Sequence, residues 1–295
     1  MNLAVLSSGL AIVIAAGPAT ANPTGSVVTK PKASTPTPAR GRTLWTEPLT
    51  GMVFVLVPKG CFTMGTKDPM PPSGSQIWDF IGFKGDIAAD EKPQHQVCLD
   101  SYWIARNEVR LADWRRIAGA DFPGEAGGEL PKGNVTWEQA TRFAALMTKR
   151  TAGIEAFRLP TEAEWERACR AGLTDEPSVP DILDQAWFVT PRRAPLQSSP
   201  TGRLVGNNWG IFDMLGNVWE WTADSYSADA YSRHALFNPR HDGTGNRVMR
   251  GGSYRSELVQ IGCGRRSDYP ADDSLPQIGF RLVMTRAEPP GKAAK

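Results

Sequence analysis

Histidine is nearly absent from this 295-residue sequence, and so are closely paired cysteines, long apolar runs and any bias toward one charge. With three histidines and no Cys-x-x-Cys or Cys-x-x-Cys…His pattern, the chain lacks the ligand spacing of a structural zinc site. The 33 basic and 31 acidic residues are interspersed and leave a net charge of +2. No basic stripe or aromatic-interleaved basic patch forms, which argues against a nucleic-acid partner. One apolar run, Leu3–Ala16, is too short to cross a bilayer, and no other is longer.

That run has a different reading. Residues 1–21 (MNLAVLSSGLAIVIAAGPATA) place an apolar core ahead of Ala19-Thr20-Ala21, an A-x-A cleavage signal. We read them as a signal peptide, with the α-amine as the only positive charge of the n-region, and the mature protein as periplasmic or secreted. No transmembrane segment is left once the signal is removed. Residues 22–42 are rich in Pro, Thr, Ser and Lys and cannot bury enough apolar surface to offset chain entropy. They read as a disordered linker, and residues 287–295 (AEPPGKAAK) as a disordered tail. Residues 43–286 are left as one domain.

Four cysteines, Cys61, Cys98, Cys169 and Cys263, lie in that domain. An even count in an exported chain favours disulfides, and three connectivities are open.

The domain mixes periodicities. Gly51–Thr66 alternates apolar residues around Pro-Lys-Gly and predicts two short strands, and Gln94–Glu108 resumes the strand pattern. Between them, Lys67–Lys92 reads as a long surface loop. Leu111–Ala118 predicts a short helix. Thr136-Trp137-Glu138-Gln139 and Thr161-Glu162-Ala163-Glu164 are capping boxes that open two more helices, the first with Ala140, Phe143, Ala144 and Met147 on one face, the second with Trp165 and Ala168 inward. Beyond Leu173 the pattern becomes irregular, with strand candidates only at Arg247–Arg250 and Gly279–Met284. The fold class is α+β, irregular, single-domain. Loops this long and Trp-rich point to loops with a function.

Six segments carry a resemblance. In order they are GCFTMG, YWIARNEV, RLPTEAEWE (Arg158–Glu166), NWGIFDMLGNVWEW (Asn208–Trp221), RGGSY (Arg250–Tyr254) and GFRL (Gly279–Leu282). Together they resemble the formylglycine-generating-enzyme family, also called the sulfatase-modifying-factor domain, over about Gly51 to Arg286. The resemblance implies a C-type-lectin-like fold poor in regular secondary structure.

Asp213 and Glu220 place two carboxylates around a Gly216-Asn217 turn, and hard cations take carboxylate and carbonyl oxygens. The resemblance implies a structural Ca²⁺ held by the side chains of Asp213 and Glu220 and the carbonyls of Gly216 and Val218. Asp213 stands where the enzymes have Asn. The alternative is that Glu220 pairs with an arginine and Asp213 only caps a turn. The family's second calcium loop has no match in Leu173–Asp181 (LTDEPSVPD).

The family's oxidases bind copper(I) through two cysteine thiolates just after Gly-Gly-Ser-Tyr and convert a client cysteine to formylglycine with O₂. Here the stretch reads GGSYRSELVQIGCGRRS. Ser253 matches the motif serine, Ser256 stands at the first copper cysteine, and no residue matches the second. Hydroxyls do not replace thiolates for Cu(I), so copper is not an expected cofactor. The resemblance further implies a Cys169–Cys263 disulfide, with Cys61 and Cys98 as the remaining pair.

If catalysis persists, Glu257 is the candidate general base beside Ser253 and Ser256, with Arg265 or Arg266 holding an anionic substrate. The bland alternative is a surface Glu and two arginines in salt bridges. Sulfoxide synthases of the family draw on a histidine-rich iron site that His95, His234 and His241 do not supply. An exported relative that matures a siderophore precursor also lacks the copper cysteines. The expected function is therefore oxidative maturation, as enzyme or accessory, of a peptide, protein or peptide-derived small molecule. The competing one is a non-catalytic binding or scaffold module of the cell envelope, with the Trp165, Trp209, Trp219 and Trp221 set serving as core.

Overall fold

Each capping box nucleates the helix it announces. In the computed structural model, Thr136 and Thr161 each accept a hydrogen bond from the residue three positions on, whose side chain reaches back to the cap's N–H. The structure describes residues 42–67, 89–118, 128–151, 153, 155–190 and 197–286, all in one compact unit, Ala39–Lys295. The segments read as signal peptide, linker (up to residue 41) and tail, and most of the Lys67–Lys92 stretch read as a loop, lie outside the described residues.

Three sheets and four helices carry the fold among these residues. The first sheet has the order β1 (Leu44–Thr46), β2 (Val53–Val57), β5 (Tyr102–Ala105), β11 (Val283–Arg286), β6 (Glu155–Arg158), antiparallel throughout. The hairpin β3 (Gly60–Met64) and β4 (His95–Leu99) sets Cys61 directly opposite Cys98. A third sheet runs β10 (Ile278–Gly279), β7 (Trp219–Ser225), β8 (Arg247–Arg250), β9 (Arg266–Tyr269). The helices are α1 (Leu111–Ala118), α2 (Trp137–Arg150), α3 (Glu162–Arg170) and α4 (Val179–Gln185).

The apolar face expected of α2 is buried as read, and it packs with α1, Trp114 stacking on Phe143 at 5.2 Å. Helix α3 is different, because all nine of its residues are buried, Glu162, Glu164, Glu166, Arg167 and Arg170 among them. It sits against β3, β7 and β8, at the centre of one of two core clusters. Trp165 and Ala168 are both fully buried.

Two readings need correction. The stretch beyond Leu173 is not irregular throughout, since Ser178 caps α4 by a capping box with Asp181 and Pro180 sits in the first turn, where its missing N–H costs nothing. The Trp219–Ser225 segment, within the stretch read as irregular, is the strand β7 that joins β8 and β10.

Both disulfides form, Cys61–Cys98 and Cys169–Cys263, and they use every cysteine of the chain. The first lies at the surface, where Cys61 is exposed. The second is buried in the core, with Cys169 at 3% and Cys263 at 0% exposure.

Candidate functional site

Left-handed backbone at Asp213, Gly216 and Asn217 folds the DMLGNVWE segment back on itself. Gly216 has no substitute here, since an added Cβ would lie 2.1 Å from the Trp187 carbonyl oxygen. The turn brings three buried carboxylates together. Glu220 accepts Trp165 Nε1–H at 2.7 Å and pairs with Arg281 through both oxygens, at 2.6 Å each. Glu108 accepts the Asn217 amide at 2.7 Å and the Val218 N–H at 3.2 Å. Asp213 accepts the Gly202 N–H at 2.6 Å on one oxygen, while its other oxygen, Oδ1, is buried without a partner.

Charge does not balance in this cluster. Arg281 is the one cation that contacts it among the described residues, and it also donates to the carbonyls of Ala105, Phe212 and Asp213. Burial, reinforced by Asp213 and Glu220, pushes the Glu108 carboxyl far above the usual range despite Arg281. Burial likewise lifts Asp213 to about 6. Three carboxylates against one guanidinium leave room for a divalent cation, and the unpartnered Asp213 oxygen is a ready ligand. That one oxygen suits Ca²⁺, while among the described residues no group of three or more His, Cys, Asp or Glu is disposed to hold a metal ion. The alternative is realised in part, because Glu220 does pair with an arginine. Glu108 and Arg281 lie in two of the segments that carry the resemblance, YWIARNEV and GFRL, yet the sequence offered no reason to connect them to the loop.

The RGGSY loop begins at Arg250, which is fully buried. Its guanidinium bonds Glu162 at 2.8 Å, Glu166 at 2.6 Å, the Tyr231 hydroxyl at 3.0 Å and the Cys263 carbonyl at 2.6 Å. Burial alone would push Glu162 and Glu166 up, yet the arginines around them hold both below the usual carboxylate range. Asp224 lies nearby, pairs with no arginine among the described residues, and accepts the N–H groups of Glu162 and His241, each at 2.8 Å. Burial, then the charge of Glu162, pushes it up to about 7.

Ser253 and Ser256 are brought together, buried at 1% and 3% exposure, with hydroxyl oxygens 3.4 Å apart. Ser256 Oγ accepts the Ser253 N–H at 3.0 Å and Ser253 Oγ accepts the Arg255 N–H at 3.2 Å. Glu257 is exposed and starts the single 3-10 turn that follows. Arg265 pairs with Glu91 at 3.0 Å, and Arg266 pairs with Glu162 at 2.6 Å while stacked over Tyr231. The structure thus gathers the two serines and spends both arginines on protein carboxylates. His95 and His234 hydrogen-bond each other at 3.0 Å, apart from any metal-ligating cluster among the described residues. Trp165 and Trp221 are core, and Trp209 and Trp219 are partly buried.

Residues 43–286 match the model of the sulfatase-modifying factor enzyme 1-like domain. The chain is similar to the formylglycine-generating enzyme of Mus musculus, 27% identical over 83% of this chain and 78% of that one. It is also similar to the inactive C-alpha-formylglycine-generating enzyme 2 of Bos taurus, 28% identical over 73% of this chain and 69% of that one. Among solved structures, PvdO from Pseudomonas aeruginosa superposes with a TM-score of 0.68 at 24% identity, covering 82% of this chain and 97% of that one, which speaks for the fold.

Proposed function

Because this chain belongs to the sulfatase-modifying factor enzyme 1-like family, we propose that it is an exported member acting in oxidative maturation of a peptide or peptide-derived substrate, as enzyme or accessory, without copper-thiolate chemistry. One observation carries the negative half of this reading. All four cysteines are tied in disulfides, and the position of the first copper cysteine holds Ser256, whose hydroxyl serves the turn. A chain with no thiolate has no soft ligand pair for Cu(I). Two disulfides in one domain support an oxidising compartment, periplasmic or extracellular. The buried Ser253–Ser256 pair is where we place any remaining chemistry, with Glu257 at its exposed flank.

A structural Ca²⁺ belongs to the same reading. Asp213 and Glu220, with the carbonyls of Gly216 and Val218, would hold it, and it would supply the positive charge that the carboxylate cluster lacks.

The test gives the purified protein Cu(I), O₂ and a sulfatase-type cysteine peptide and weighs the peptide. No conversion of cysteine to aldehyde is expected. Aldehyde from the unmutated protein would overturn the reading. A non-catalytic binding module is favoured instead if Glu257→Gln and Ser253→Ala leave the phenotype of the producing organism unchanged, and the pairing of Arg265 and Arg266 with Glu91 and Glu162 supports that second reading.

A further inference from the structure

Arg167 is the one charged residue of α3 whose guanidinium pairs with no carboxylate among the described residues. Glu162, Glu164, Glu166 and Arg170 all have ionic partners. Arg167 is 7% exposed, and its Nη1 donates to two carbonyls, Gly60 at 2.8 Å and Leu99 at 3.4 Å. Nothing described accepts from Nη2 or Nε. Gly60 makes room for that group, since a Cβ there would lie 2.7 Å from Nη2. Burial holds the Arg167 pKa below the usual arginine value, and the Tyr102 phenol offsets this only in part. The donors left over face a cavity that opens to solvent, where an anion can take the place of water on a guanidinium that has no carboxylate of its own.

The cavity at this guanidinium makes the point specific. It lies between the β3–β4 hairpin and the C-terminal end of α3, has a volume of about 300 Å³ and opens to solvent. Arg167 and Arg170 both line it, and among the described residues no Asp or Glu does. Arg170 is already neutralised by Glu166 and Glu176, each at 2.8 Å, so the unmatched charge is that of Arg167. Thr63, Gln96 and Thr174 add neutral polar groups to the rim, and Phe62, Leu173 and Trp209 form an apolar wall. A volume near 300 Å³ is at the small end of ligand sites, which run from roughly 300 to 1,000 Å³.

We propose that this cavity binds a small organic carboxylate with one aromatic or branched apolar group, the carboxylate on Arg167 and the apolar group against Trp209 and Phe62. The planar fork of arginine suits a carboxylate, and an indole face suits a ring. The site shares no lining residue with the Ser253–Ser256 pair, so it stands whether or not that pair is catalytic.

Phenylacetate is the probe and phenylacetamide its neutral counterpart, followed by Trp fluorescence and calorimetry on the mature, oxidised protein. Saturable binding of the acid and at least about tenfold weaker binding of the amide are expected. Arg167→Gln should weaken the acid by a similar factor. Because that variant removes a buried contact, Thr174→Asp, at an exposed rim position, serves as the second: it places a carboxylate in the cavity and should abolish binding while the far-UV spectrum stays unchanged. A Phe-terminated tripeptide measured beside its C-terminal amide assigns the source, free acid or chain end, and a preference for the acid form in either case supports the site. Equal binding of acid and amide, failure to saturate at millimolar ligand, or unaltered affinity in Thr174→Asp would overturn it.

Discussion

Removing the two disulfides separately should cost unequal amounts, and the order follows from where they sit. Cys169–Cys263 closes 94 positions of chain and Cys61–Cys98 closes 37. Loop-closure entropy then assigns about 4.7 kcal/mol to the longer and about 3.8 kcal/mol to the shorter at 25 °C, as upper values. Position adds to the difference. Cys169 and Cys263 are buried within a core cluster, so Cys169→Ala with Cys263→Ala also leaves a cavity, worth about another 1–2 kcal/mol. Cys61 is exposed, and Cys61→Ala with Cys98→Ala removes little packing. The expected gap of about 2 kcal/mol corresponds to roughly 4–8 °C in Tm for a domain of this size. Urea unfolding of the two double variants without reductant measures it. Mild reductant followed by alkylation should label Cys61 and Cys98 before Cys169 and Cys263, because thiol attack needs access. Equal losses, or a larger loss for the surface pair, would refute both the burial argument and the placement of Cys263 in the core.

The remaining predictions concern the carboxylates. Chelator should lower the Tm of the unmutated protein, by the equivalent of about 2.7 kcal/mol where calcium stands at a hundred times its Kd, and Asp213→Gly should remove that response. Glycine is chosen because it accepts the left-handed backbone at position 213; a Tm indifferent to chelator sinks the calcium assignment. Asp224 gives a pH signature. Its folded pKa of about 7 lies above the unfolded value, so only the folded state holds the proton between roughly pH 4 and pH 7. Stability contributed by that proton is full below about pH 4 and is withdrawn as pH rises through 7, by at most about 4 kcal/mol. Subtracting the Asp224→Asn profile from that of the unmutated protein should isolate this fall, and parallel profiles would contradict it.

Local physics made much of the scaffold legible. The capping boxes at Thr136 and Thr161 need only their own side chains, and the amphipathic face of α2 follows from its period. The pairing of cysteines came through the family resemblance, with Ser256 marking the departure from it. What escaped was non-local. β7 reads as a ligand loop because its Trp and Glu suggest a site, while its strand character depends on β8 and β10. The partnership of Glu220 with Arg281 spans 61 positions, and that of Arg250 with Glu162 spans 88, distances over which no spacing rule operates. The same holds for Arg265 and Glu91, which turned a candidate anion holder into an ion pair.

Helix α3 carries its charges inward, and this constrains how the chain can be altered. An apolar helix in that position could rotate or slide by a residue and still bury its surface. One whose Glu162 and Glu166 must meet Arg250, whose Glu164 must meet Arg158 and whose Arg170 must meet Glu176 has a single workable rotation and axial position. The ion pairs work as a lock on registry more than as a source of stability. A change that neutralises Arg250 or Arg266 therefore has to neutralise its α3 carboxylate with it, because either part changed alone strands a buried charge.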